Sequence, residues 1–233
     1  MYRVYFLILF IFTLTSCGKK YRVEGTSSVS QLDGKMLFIK VISGDKLVNI
    51  DSCEVIHGLF KMEGKVDSVV LASLYMDEEC IMPLVIEEGN IDIEINNAGI
   101  SIKGTPLNNS FNKFIEEKTA LDDKAYEIER EESRMIMDGI DLHTVQMQID
   151  QKRKSVSEEM DNLAKTFIEK NYDNVLGPGV FIMICNTFPY PVLTPLMEDI
   201  VENAPESFKV NPLIKEYISV AKDNMERMQA TAN

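Results

Sequence analysis

The chain predicts an α+β protein: an N-terminal antiparallel β-sandwich or curled sheet, followed by a helical hairpin and shorter C-terminal helices. Three observations carry this. Up to residue 103 apolar and polar residues alternate in short runs, the period of half-buried strands. At Thr105-Pro106 the spacing changes to the three-and-four of helices. Beyond residue 175, prolines and glycines cut the remainder into short helical pieces.

The strand region reads as eight runs, 22–28, 35–43, 46–56, 59–65, 67–76, 81–87, 90–95 and 99–103. Ile91, Ile93 and Ile95 alternate with Asp92 and Glu94, which makes one face wet and one dry. Gly34, Gly44, Gly58, Gly64, Gly89 and Gly99 stand where the chain must reverse, and His57-Gly58 resembles a two-residue hairpin turn. Eight short strands with tight turns imply a sandwich or a curled sheet.

Thr105 supplies an N-cap, and Pro106 follows at the first helical position, which has no use for an N–H. Leu107, Phe111, Phe114, Leu121, Ala125, Ile128 and Met135 form the apolar stripe of a first long helix. Asp138-Gly139 ends it. Leu142, Val145, Ile149, Val156, Met160, Leu163 and Phe167 mark a second long helix, antiparallel to the first. Gly177-Pro178-Gly179 reads as a helix break, followed by helices over 180–187, 193–203 and 212–230.

Residues 1–17 (MYRVYFLILFIFTLTSC) read as a lipoprotein signal. Arg3 precedes an unbroken apolar stretch over 4–12, and Thr13, Leu14, Thr15 and Ser16 lead into Cys17. Residues 1–16 would then be a signal peptide, and Cys17 the lipidated first residue of the mature chain. The apolar run is well short of the roughly 20 residues that span a bilayer. Gly18, where an aspartate would signal retention, directs such a protein to the outer membrane. The expected location is the cell envelope, lipid-anchored and facing the periplasm. The mature chain divides into a β domain over 17–104 and a helical region over 105–233.

The formal net charge is −13, and losing Arg3 makes it one unit more negative. Such a surface repels nucleic acid and anionic headgroups, so membrane attachment is expected to be covalent. With Cys17 lipidated, Cys53, Cys80 and Cys185 remain, far apart and without a CxxC pair.

Several stretches together resemble the DUF4369 family. They are Tyr21-Arg22-Val23-Glu24-Gly25, residues 51–64 (DSCEVIHGLFKMEG), residues 83–91 (PLVIEEGNI) and Gly104-Thr105-Pro106-Leu107-Asn108-Asn109. The resemblance implies a Bacteroidetes lipoprotein whose relatives continue into a thioredoxin-like domain of the TlpA/ResA type. Those relatives' redox chemistry resides in a WCxxC motif, which does not occur between Met1 and Asn233. The expectation is therefore a scaffold without its redox domain.

No other motif supplies chemistry. Cys53 falls in a predicted strand, Cys80 in an acidic loop with Asp77, Glu78 and Glu79, and Cys185 in an apolar helical run. A Cys53–Cys80 redox pair is set against isolated thiols, with Cys185 a small core residue. His57 lies in a turn, and His143 near a helix start has no second histidine at ligand spacing. Glu116-Glu117, Asp122-Asp123 and Glu127-Glu129-Glu131-Glu132 read as a solvated face, without a calcium loop. The glycines at 177 and 179 lack the setting of a dinucleotide loop, and no serine lies in GxSxG. No catalytic residue, metal site or cofactor is expected. The function this predicts is a non-enzymatic binding or interaction module, with an envelope protein as its expected contact. The alternative is a thiol-disulfide accessory working with a separately encoded thioredoxin-like protein. A cryptic hydrolase or carbohydrate enzyme would need a pocket with converging titratable groups.

Overall fold

Alternation fixes which side of each strand is dry, and the dry sides decide how the strands stack. The computed structural model describes residues 19–44 and 46–231; the signal peptide expected over residues 1–16 and Cys17 lie outside them. The strands are β1 (Lys20–Ser27), β2 (Met36–Ser43), β3 (Lys46–Glu54), β4 (Leu59–Lys65), β5 (Val70–Met76), β6 (Glu79–Ile86), β7 (Gly89–Asn96) and β8 (Gly99–Lys103). Sheet A has the order β4-β1-β7-β8 and sheet B the order β3-β2-β5-β6. Val23, Ile91, Ile93 and Ile102 of sheet A meet Leu37, Ile39, Leu74, Leu84 and Ile86 of sheet B in one dry core.

The pairing is antiparallel except between β1 and β7, which run parallel from Tyr21 opposite Gly89. The two sheets form the expected sandwich, and this parallel pair is the one departure from antiparallel pairing among the described strands. After β6 the chain crosses from sheet B into the middle of sheet A, and so enters beside β1 in the same direction. His57 and Gly58 have φ of 53° and 72° and close the turn between β3 and β4 as predicted.

Two glycines let aromatic rings fill the sandwich. Gly25 lies opposite Phe60, and Gly64 opposite Tyr21. A Cβ on Gly25 would stand 1.9 Å from Phe60 Cζ, and one on Gly64 2.7 Å from the Tyr21 ring. The Tyr21 hydroxyl crosses the core and donates to Asp51 Oδ2 at 2.8 Å, tying sheet A to β3.

The helices are α1 (Pro106–Met137), α2 (Leu142–Lys170), α3 (Leu176–Cys185), α4 (Pro195–Asn203), α5 (Glu206–Lys209) and α6 (Pro212–Thr231). Thr105 holds the N-cap position, yet its hydroxyl caps no backbone N–H. The cap comes from Glu87, whose Oε1 accepts from the N–H groups of Leu107 (2.8 Å) and Asn108 (3.2 Å). Asn108 in turn pairs with the edge of β6: Val85 N–H donates to Oδ1 at 2.9 Å, and Nδ2 donates to Val85 O at 2.7 Å. That Nδ2 also reaches Thr105 Oγ1 at 2.8 Å. One turn later, Asn112 Oδ1 accepts from Ile102 N–H of β8 at 3.0 Å. Glu87, Thr105, Asn108 and Asn112 are all buried. Helix α1 thus closes the open end of both sheets by pairing with their edge backbone.

Outside sheet B, Leu71 and Val85 join Phe111, Phe114, Ile168, Leu176, Val180, Phe181 and Phe208 in a second core. Gly177-Pro178-Gly179 lies within it as the first turn of α3, which corrects the expected helix break. Pro178 sits where an N–H has no intrahelical partner anyway. Gly179 lets α3 approach the sheet, since a Cβ there would fall 2.4 Å from Leu71 Cδ2.

Helices α1 and α2 form the predicted antiparallel hairpin, with Ile128, Val145 and Ile149 as a small core of their own. Ala125, assigned to the buried stripe, is exposed, as is Leu142. Beyond Leu121 the helix has α2 as its neighbour, and residues seven apart suffice to fill that seam. Lys124–Glu159, Lys152–Glu131 and Arg153–Glu132 pair across the hairpin. Exposed pairs of this kind add little to stability, because water screens them.

Replacing Asn108 by Ala leaves the buried Val85 N–H and C=O without partners, at about 1–3 kcal/mol for each. The expected loss is about 3 kcal/mol in urea unfolding, with Tm down by about 10 °C. Asn109→Ala, which removes an exposed bond from Gly104 N–H, should cost under about 1 kcal/mol. Equal small losses for the two variants would contradict the pairing.

Candidate functional site

The strand order of sheet A writes a pattern on its outer face that no single strand contains. Glu24 of β1 lies between Lys61 of β4 and Asp92 of β7, and Asp92 lies opposite Lys103 of β8. Across the sheet the row reads plus, minus, minus, plus. The next row toward the β3–β4 turn reads Leu59, Thr26, Glu94, Ser101. Cross-strand neighbours of this kind stand about 5 Å apart at Cβ, so each row is a contiguous strip.

These two rows form a groove of 880 Å³, with Cys53, Glu54, Ile56 and His57 as its wall. Lys61 Nζ stands 3.8 Å from Glu24 Oε1. Asp92, Ser101 and Lys103 have no side-chain partner among the described residues and are available to a ligand.

A second hollow, of 570 Å³, answers whether α1 and the sandwich enclose a space. It lies between Phe111, Ile115 and Ala120 of α1 and the strand ends around Ile81, Met82 and Ile100. Its lining is mostly apolar. Asn112, its central amide, is engaged by Ile102 N–H and donates to Glu116 Oε1 at 2.7 Å. Fewer polar groups converge here than on sheet A.

The thiols do not form a redox site. Cys53 and Cys80 stand on β3 and β6, the two outer strands of sheet B. Three inter-strand steps of about 4.8 Å separate them by about 14 Å, twice the reach of a disulfide. This contradicts the proposed pair. Cys80 also lies in a strand and not in a loop, because Asp77, at φ 53°, turns the chain tightly and Cys80 pairs with Tyr75. Burial pushes the Cys53 thiol above its ordinary range, against a weaker pull from the Lys61 backbone N–H. Cys185 is buried in the helical core, and burial raises its pKa to about 12. Reactive thiols require the opposite shift.

His57 lines the sheet A groove, whereas His143 is exposed in the first turn of α2, its N–H donating to Asp141 Oδ1. No group of three metal-ligating side chains comes together among the described residues. The helical carboxylates point to solvent or across the hairpin. Also among the described residues, no helix is long and apolar enough to cross a membrane.

Residues 21–111 match the model of the family DUF4369, a domain of unknown function. The chain carries a DUF4369 domain. Its span starts at Tyr21, takes in both sheets, and runs past the strands to Phe111, covering the α1 residues that pair with β6. No curated protein and no solved structure matches the chain.

The residue stretches that resembled the family now have physical reasons. Tyr21, Gly25, Asp51, Phe60 and Gly64 form the ring-over-glycine pairs and the Tyr21–Asp51 bond. Val85, Glu87, Thr105 and Asn108 form the buried junction with α1. Gly104, at φ 103°, passes so close to Asn90 O that a Cβ would lie 2.3 Å from it. Sequence reasoning missed the groove residues Glu24, Lys61, Asp92, Ser101 and Lys103. Their one signal was the polar half of each strand's alternation.

Under native conditions iodoacetamide should modify exposed Cys80 first, half-buried Cys53 more slowly, and Cys185 only on unfolding, as read by peptide mass spectrometry. A Cys53–Cys80 disulfide recovered from native protein would contradict this geometry.

Proposed function

We propose that the protein is a cell-envelope lipoprotein, tethered through lipidated Cys17, that acts as a non-enzymatic binding module. Its ligand site is the sheet A groove. The observation that carries this reading is the distribution of cover. Helices α1 and α3 occupy the β6–β8 edge and the outer face of sheet B, while Arg22, Glu24, Lys61, Asp92, Glu94 and Lys103 on sheet A stay exposed. A rigid sheet carrying ordered, partly unpaired charges suits a ligand with both charged and hydrogen-bonding groups. Among the described residues neither Ser101 nor Cys53 hydrogen-bonds to His57 or to a carboxylate of the groove, which favours binding. The signal segment supports the tether, and the multiple acyl chains of a mature bacterial lipoprotein would hold it essentially permanently.

The test uses the full-length chain in its native envelope. Cys17→Ala should abolish labelling by radioactive palmitate and release the protein from membranes; retained label would refute the anchor. Photo-crosslinking residues at Thr26 and Ser101 should trap one adduct of defined mass. It should be absent from a control at Ser157 on α2 and lost in an E24K/D92K variant. Adducts indifferent to position and to charge reversal would sink the groove as the site.

A further inference from the structure

The directions of the strands identify which pole of the molecule an anchor at Cys17 would hold against the membrane. Cys17 and the first residue of β1, Lys20, are three residues apart, at most about 10 Å of chain. Lys20 pairs with Lys65 at the end of β4, and Tyr21 with Gly89 at the start of β7. Val70, at the start of β5, pairs with Ile86 at the end of β6. All these positions lie at one pole.

The β2–β3 hairpin points to the same pole. Strand β2 runs antiparallel to β5, with Leu37 opposite Met76 and Lys40 opposite Ser73, so it heads toward the level of Val70. Its pairing with β5 stops at Lys40, whereas its pairing with β3 continues to Ser43 opposite Lys46. The result is a two-stranded ribbon that parts from β5 and reaches the level of Val70 without that strand beside it.

The ribbon carries apolar side chains on both faces, with Val41 half-buried against the sandwich core and Ile42, Leu47 and Val48 exposed. Ile42 lies opposite Leu47, and Val41 opposite Val48. Ile42 is 66% exposed, Leu47 46%, Val48 42% and Ile50 41%. Val69, on the neighbouring β4–β5 connection, is exposed as well. An isolated hairpin with uncovered apolar side chains is marginal in water and invites unwanted pairing. Around it stand Lys19, Lys20, Lys46 and Lys65, all exposed, in a chain whose net charge is −13. Among the described residues Asp67 and Glu88 are the nearby carboxylates, and Glu88 is 4.0 Å from Lys19; in the sequence Asp45 adds a further acid between Gly44 and Lys46.

We propose that this ribbon seats in the bilayer interface beside the anchor, so that a lipid surface is the partner of the β2–β3 hairpin. The inference rests on lipidation of Cys17. Ile42, Leu47 and Val48 enter the acyl boundary, and the lysines extend toward headgroup phosphates. The sheet A groove, built toward the opposite ends of β1, β4 and β7, then opens away from the membrane. The α1–α2 tip projects about 20 Å farther than Asp123, at 1.5 Å per residue.

The chain contains no tryptophan, so single reporters can be introduced. Lipidated full-length V48W, I42W and, at the far tip, L142W are placed in phosphatidylcholine–phosphatidylglycerol vesicles with and without dibrominated chains. V48W and I42W should shift to shorter wavelength and lose intensity about two-fold to the bromine, as for side chains about 5–10 Å deep. L142W should change in neither respect. If the protein stays on the vesicles while V48W and I42W remain unquenched, the proposal is overturned and the anchor stands. Blue-shifted but unquenched emission with a doubled particle mass would assign the ribbon to a second copy, which also overturns it. Absence of fatty acid on Cys17 would overturn the anchor and the proposal together.

Discussion

The rest of the structure depends on how the β6–β8 end of the sandwich is closed. Two sheets that meet face to face leave backbone groups at their edges, and an edge buried under a helix has no water to satisfy them. Here Asn108 and Asn112, one turn apart on α1, supply side-chain amides to Val85 and Ile102. Glu87, just past the end of β6, returns the favour by accepting from the first-turn N–H groups of α1. Each half completes the other's hydrogen bonding. A buried network of this kind is costly when partly satisfied and specific when complete. No buried side-chain polar atom lacks a partner among the described residues.

That closure sets the direction of everything after it. Because α1 starts at the end of the sandwich where β1 begins, it must run along the β6–β8 edge and leave at the opposite end. The α1–α2 hairpin therefore projects from the far end of the sandwich, and α2 brings the chain back so that α3 can pack on Leu71 and Val85. Sheet B is covered as a consequence. Among the described residues nothing covers sheet A, and its wet residues become the surface on which a groove can form.

Much of this was legible in the sequence, and the misses have a common cause. Strand positions, the His57-Gly58 turn and the start of α1 at Pro106 depend on local backbone preference, and all three follow from neighbouring residues. The parallel β1–β7 pair depends on a crossover between sheets, which alternation does not encode. Asn108 and Asn112 look like surface amides on a helix until the β6 and β8 edges are set against them. Gly177-Pro178-Gly179 carries the signature of a break, yet the same residues permit a close-packed first turn when Leu71 lies above. Cys53 and Cys80 sit on separate predicted elements, and the strand order alone keeps them apart. The groove was hidden for the same reason: Glu24, Lys61, Asp92 and Lys103 are ordinary wet-face residues until the order β4-β1-β7-β8 aligns them. The proposed lipidation site at Cys17, in contrast, rests on sequence order alone.

The central claim is that the sandwich and the helices form one cooperative unit through the buried junction at Glu87, Asn108 and Asn112. Native-state hydrogen exchange at the amides of Val85, Ile102, Leu107 and Asn108 tests it most directly, because these N–H groups donate to the junction itself. The account predicts opening free energies equal to those of the core amides in β1 and β5, with exchange only through global unfolding. Exchange of the four amides at a clearly lower free energy, while β1 and β5 stay protected, would show that the helices detach on their own and would contradict it.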